Sequence, residues 1–102
     1  MVMTKFVATP FDGVQYFTTP GSVIGLLNDA FESGEAGYIA VALGVAARAE
    51  GMTKLAAKTG VNRQALYTAL SDGGNPTLET LLKVLGAMGV RLRCEATEAA
   101  AA

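Results

Sequence analysis

The 102-residue chain contains no histidine and a single cysteine, Cys94. Without histidine it lacks the commonest general base and the commonest metal ligand. One cysteine forbids an intramolecular disulfide and fits a reducing compartment. Neither a Cys/His/Asp triad nor a zinc site can be assembled from these residues, and no cofactor is expected. The nine acids are scattered, with no paired arrangement for carboxylate catalysis on facing elements. These absences argue against an enzyme. No apolar run approaches the roughly 18 residues of a membrane span, because Asn, Asp, Glu and Gly interrupt every candidate. The N-terminus follows Lys5 with Thr9, Pro10 and Asp12 rather than a long apolar core, which is not the pattern of a signal peptide. The expected location is the cytoplasm, with no membrane partner.

What the chain does have is apolar substance: 51% of its residues are hydrophobic and 17% charged. That balance supports one packed core and leaves no room for a second. The net charge of −1 looks unsuited to nucleic acid, but the charges are unevenly placed. Residues 1–50 carry Lys5 and Arg48 against five acids, whereas residues 51–102 carry six cations against four acids. Between Gly51 and Ser71 there are three cations, Lys54, Lys58 and Arg63, and no acid. Binding to a polyanion depends on the local potential of a face, not on the overall balance.

Periodicity divides the chain into an N-terminal segment (1–18), a helical domain (19–94) and a flexible tail (95–102). In the first segment, Lys5–Val7 reads as a short strand stopped by Pro10, and Asp12–Phe17 as a single helical turn. Thr19-Pro20 reads as a helix cap followed by a proline at the first helical position. Val23, Leu26, Leu27, Ala30 and Phe31 then form one apolar stripe, and Gly34 ends that helix. A second helix over about Ala36–Glu50 is apolar on two faces, which suits the middle of a small bundle. Gly44 within it costs about 1 kcal/mol relative to alanine, so a close neighbour is expected there. Two short helices follow, about Thr53–Thr59 and Arg63–Leu70, separated by Gly60-Val61-Asn62. After the loop at Asp72–Pro76, Thr77 caps a last helix with the stripe Leu78, Leu81, Leu82, Leu85 and Met88, ended by Gly89. Val90–Cys94 alternates as a short strand with one buried face.

The two short helices carry the functional expectation. Two helices crossing over a three-residue turn need a small residue under the crossing (Ala56), a glycine able to take positive φ (Gly60), and apolar plugs (Val61 and Leu66). All four occur in register. On the second of these helices, Gln64, Tyr67, Thr68 and Ser71 share the exposed side, with Arg63 at its leading edge. The N-terminal part of such a helix enters a DNA major groove, where Arg63 suits a guanine edge and Gln64 an adenine. Tyr67 and Thr68 are candidates for a thymine methyl or a phosphate. Thr53, Lys54 and Lys58 are phosphate candidates, and Asn62 is a helix cap that positions rather than reads. The bland alternative is an ordinary solvated helix face. So short a reading helix binds weakly alone, so a homodimer on an inverted-repeat operator in double-stranded DNA is the expected unit.

From Met52 onward the sequence resembles the Cro/CI-type (Xre) helix-turn-helix family. The resemblance rests on Leu55-Ala56, Gly60-Val61, Leu66, the run Gly74-Asn75-Pro76-Thr77-Leu78-Glu79-Thr80-Leu81-Leu82-Lys83-Val84-Leu85, and Met88-Gly89-Val90. It implies an all-α, lambda-repressor-like bundle of about five helices, here with a short C-terminal strand. A longer stretch, residues 19–94, is similar to the probable addiction-module antidote family. It does so through Ala30–Gly34, Ile39–Ala49, Gly51–Ala56, and Leu66–Ser71 leading into Gly74-Asn75-Pro76. That resemblance implies a type II antitoxin similar to HigA, which binds a RelE/ParE-like toxin encoded beside it and represses the shared operon. Two surfaces are candidates for the cognate toxin protein. One is the aromatic cluster Phe6, Phe11, Tyr16 and Phe17; the other is the edge of Val90–Cys94, open to pairing with Lys5–Val7, a dimer mate or a toxin strand, with Arg91 and Arg93 facing outward. The alternatives are a stand-alone phage-type Cro/CI repressor, and an interaction module in which the helix pair is only a scaffold.

Overall fold

The computed structural model describes residues 20–98. The expected strand at Lys5–Val7, the turn at Asp12–Phe17, the Thr19 cap and the aromatic cluster all lie outside the described residues. So does the end of the tail. Five helices follow in order: α1 (Pro20–Ser33), α2 (Ala36–Glu50), α3 (Met52–Thr59), α4 (Arg63–Ala69) and α5 (Leu78–Ala87). Helix α1 packs on α2, and α3 sits at the hub, touching α2, α4 and α5. None of these helices is long and apolar enough to cross a membrane.

The α1 stripe behaves as its spacing requires. Leu26, Leu27 and Ala30 are buried, with Val23 and Phe31 half-buried beside them. Two apolar faces place α2 centrally: Ala40 and every residue from Ala42 to Ala47 are buried. Gly44 has the neighbour its position demands. A Cβ built there would overlap the Leu70 carbonyl oxygen and lie 3.3 Å from the carbonyl carbon. The C-terminal end of α4 therefore crosses α2 where α2 has no side chain. Leu43, Leu55, Leu66, Leu70, Val84 and Leu85 complete a core with no buried polar or charged side chain among the described residues.

Two expectations at the C-terminal end require correction. The α5 stripe is rotated relative to the Leu78/Leu82 spacing. Val84 and Leu85 are fully buried and Leu81 and Met88 half-buried, while Leu78 is 67% and Leu82 50% exposed. The apolar arc of α5 is wider than the face that α3 covers, so its first leucines project beyond the core. Val90–Cys94 forms no strand, and the described residues contain none. A strand needs a ladder partner, and none of the described residues supplies one. The Val90 amide instead donates to the Leu85 carbonyl (2.9 Å), closing the end of α5 together with the Gly89 amide on Gly86 (3.1 Å), a Schellman-type ending. Arg91, Leu92, Arg93 and Cys94 are all exposed, so no buried face alternates with a wet one.

Tyr38 on α2 reaches back to α1, its hydroxyl donating to Asp29 Oδ2 at 2.5 Å. Burial, then this hydrogen bond, then the Asp29 charge hold the Tyr38 phenol well above its usual ionisation range.

Candidate nucleic-acid interface

The turn between α3 and α4 is held by short local bonds. Gly60 ends α3 in the left-handed region (φ 74°), and its amide donates to the Ala56 carbonyl at 3.0 Å. A side chain there would be strained by its own backbone. The Thr59 hydroxyl donates to the Leu55 carbonyl (2.8 Å) and accepts from the Val61 amide (3.1 Å), bridging the end of α3 to the turn. Asn62 then caps α4: its Oδ1 accepts from the amides of Gln64 (2.7 Å) and Ala65 (3.2 Å). That satisfies the first free donors of a helix too short to be stable alone. Leu66 is wholly buried, and Ala56 and Val61 are half-buried against the core. The positive φ of Gly60 and the burial of Leu66 are as expected, and Ala56 and Val61 pack against the same core. Thr59 was missed because a threonine late in a helix usually signals only modest propensity. The informative feature is its place immediately before the glycine.

With Leu66 anchored inward and Ala69 half-buried beside the core, the other residues of α4 face out. Arg63, Gln64, Ala65, Tyr67 and Thr68 are all exposed. The structure brings only part of the expected set together. A shallow concavity between the start of α3 and the outer side of α4 is lined by Arg48, Gly51, Met52, Thr53, Lys54, Arg63 and Tyr67. Its charged lining is wholly cationic. The Arg63 guanidinium lies over the Tyr67 ring, 5.5 Å from the centroid, a cation–π contact that sets the arginine's direction along the helix surface. Arg48, in the last turn of α2, joins this face and was not among the expected residues. The acid-free window begins at Gly51 because Glu50 precedes it, so Arg48 falls outside it. The same boundary hid Glu50, which pairs with Lys54 at 3.3 Å. Both partners are substantially exposed, so the pair adds little stability, but it offsets one of the three window cations.

The other expected residues lie apart from this concavity. Lys58 Nζ donates to the Ala87 carbonyl at the end of α5 (3.4 Å), which ties it to the α3–α5 side. Thr68 lines a second concavity with Ala65, Ala69, Ser71, Asp72 and the Gly73–Asn75 loop, and its hydroxyl donates to the Gln64 carbonyl (3.1 Å). Asp72 places an acid there. Gln64 stands on the helix between the two concavities and lines neither. Among the described residues no group of three or more acidic or cysteine side chains is placed to hold a metal.

The described residues form an all-helical domain with an apolar core and an outward-facing polar helix. The particular family follows from comparison. Residues 7–96 match the family described as "Probable addiction module antidote protein", and the chain belongs to that family. A Haemophilus influenzae protein described as "Uncharacterized protein" is 34% identical over 85 residues, which cover 83% of this chain and 88% of the relative. No solved structure gives a significant match. Membership of an addiction-module antidote family implies a partner toxin and suggests a regulatory role.

Proposed function

We propose that this antidote is a DNA-binding, HigA-like antitoxin of a type II module. In this reading it neutralises a RelE/ParE-like toxin and represses its own operon as a cytoplasmic homodimer. Helices α3 and α4 form the helix-turn-helix unit within the domain spanning 19–94, and the N-terminal half of α4 enters the major groove. Arg63 and Gln64 read base edges, a guanine and an adenine in the commonest pairings. Tyr67 supports Arg63 and reaches the backbone or a thymine methyl, and Thr68 contacts the strand on the other side of the helix. Thr53, Lys54 and Lys58 contact phosphate, and Asn62 fixes the start of the reading helix.

The observation that carries the reading is the wholly cationic lining where the outer face of α4 meets the start of α3: Arg48, Lys54 and Arg63 around one concavity. Such a lining favours a polyanion laid across both helices. About three cations per subunit at the interface, Lys54, Lys58 and Arg63, make about six per dimer, for a log–log salt slope near −5. Binding to a duplex from immediately upstream of the gene, measured across a salt series, tests this. The expected result is tight binding with roughly that slope. No binding even at low salt would overturn it, leaving the helix pair as a scaffold for toxin contact alone.

A further inference from the structure

The two flanks of α4 are unlike in charge. The concavity toward α3 is lined by Arg48, Lys54 and Arg63 and by no acid, whereas the one toward the 71–75 loop holds Asp72 and no cation. This second flank opens along the same outer surface of α4, since Ala65 and Thr68 line it and both are exposed. It is also held in place. A Cβ built on Gly74 would overlap the carbonyl oxygens of Thr68 and Ala69, so the loop lies directly on the end of α4. The Gly74 amide closes the turn by donating to the Ser71 carbonyl at 2.8 Å. Asp72 is therefore carried on a turn fixed to the helix beside it.

The hydrogen-bonding character of this flank follows from where its protons go. The Thr68 hydroxyl donates to the Gln64 carbonyl (3.1 Å), and the Ser71 hydroxyl donates to the Thr68 carbonyl (3.0 Å). Both oxygens keep lone pairs but have no proton left for a ligand. The exposed Asp72 carboxylate adds two more acceptors. Only Asn75, at the far end of the loop, brings a donor side chain to this concavity. Such a flank is unsuited to phosphate, which needs donors and is repelled by a carboxylate. Base edges in the major groove differ in what they offer it. Guanine presents acceptors, thymine an acceptor and a methyl, and adenine an amine with the N7 acceptor beside it. Cytosine alone presents an amine with no acceptor adjoining it on the same base.

We propose that Asp72 is a specificity determinant: it accepts from the N4 amine of a cytosine in the bound duplex and keeps the phosphate strand on the opposite, cationic flank of α4. This assignment rests on the DNA reading proposed above and gives it a base class and a polarity. Without the amine the carboxylate is left facing acceptors, which penalises wrong sequences as well as rewarding the right one.

The test is binding of the full chain to the duplex immediately upstream of its gene, with each base pair replaced in turn at one fixed salt concentration. For wild type, one of the sensitive positions should be a C·G pair whose replacement weakens binding about 10-fold. Asp72→Ala should abolish discrimination at that pair alone and leave the positions read through Arg63 and Gln64 as they were. It should also bind a scrambled duplex more tightly than wild type does. Asp72→Asn should shift the same position from cytosine toward adenine, because a carboxamide both donates and accepts. Asparagine also suits the turn, so this variant decides if the alanine variant does not fold. Discrimination unchanged in both variants, or a uniform change over all duplexes, overturns this inference and leaves the DNA reading standing. A relaxed position that is not cytosine overturns it too. A wild type that binds no duplex removes both, and leaves the acceptor flank to basic side chains of the toxin.

Discussion

At the scale of single residues, backbone contacts decide more than propensity does. Alanine at position 44 should gain about 1 kcal/mol of intrinsic helix preference over glycine. Its Cβ, however, meets the Leu70 carbonyl, which is backbone and cannot swing aside. Gly44→Ala is therefore expected to destabilise the domain by roughly 1–3 kcal/mol. In thermal unfolding that lowers Tm by about 4–8 °C for each kcal/mol in a domain of this size; an unchanged or higher Tm would show that α4 does not cross α2 at this point. Asn62→Ala leaves the Gln64 and Ala65 amides without their acceptor and should cost about 1 kcal/mol, read in the same experiment. Tyr38 gives a pH dependence with a definite sign. Its folded-state pKa is raised, so the folded form holds the proton more tightly than the unfolded chain. The stabilisation is complete below the unfolded value near 10 and is lost as pH rises beyond it. Tyr38→Phe should flatten the alkaline loss of stability relative to wild type, and parallel curves above pH 10 would contradict the Tyr38–Asp29 assignment.

At the scale of helices, the ends were legible and the faces less so. Asn62, Thr77 and the glycines at 34, 51, 60 and 89 punctuate the sequence because each does a local job that few other residues can do. Thr77, for example, accepts from the Thr80 amide at 3.1 Å, as its position before α5 implies. The four framework residues of the α3–α4 crossing were likewise readable, since sterics alone dictate them. The face of α5 was not. Its stripe contains more apolar positions than one neighbour can cover, and which are left outside depends on tertiary packing, not on spacing. The strand at Val90–Cys94 failed for a related reason: alternation describes what a strand would bury, not whether a partner exists. The candidate site was half legible. Arg63, Tyr67, Thr53 and Lys54 converge as a shared face, while Arg48 and Glu50 come from the preceding helix through the α2–α3 corner. Ala56 is half-buried against the core on α3, so Ala56→Leu should overpack it at a cost of about 1–3 kcal/mol. An unchanged melting temperature would contradict that placement.

At the scale of the whole molecule, the overall charge of −1 conceals a division of labour. Acids predominate in the first half and cations in the second, and the fold gathers Arg48 from one and Lys54 and Arg63 from the other around one concavity. Membership of the antidote family implies work done by surfaces, toward a toxin and, in the reading proposed here, toward DNA. The central claim is that α4 reads base edges through Arg63 and Gln64. The most direct test is the ratio of affinities for the chain's own upstream duplex and a scrambled duplex of equal length, at fixed salt, for wild type and for Arg63→Ala/Gln64→Ala. The expected result is a wild-type preference of at least about 10³-fold that collapses toward unity in the double variant, while weak, salt-sensitive binding to both duplexes persists. A double variant that keeps the wild-type preference would contradict the claim.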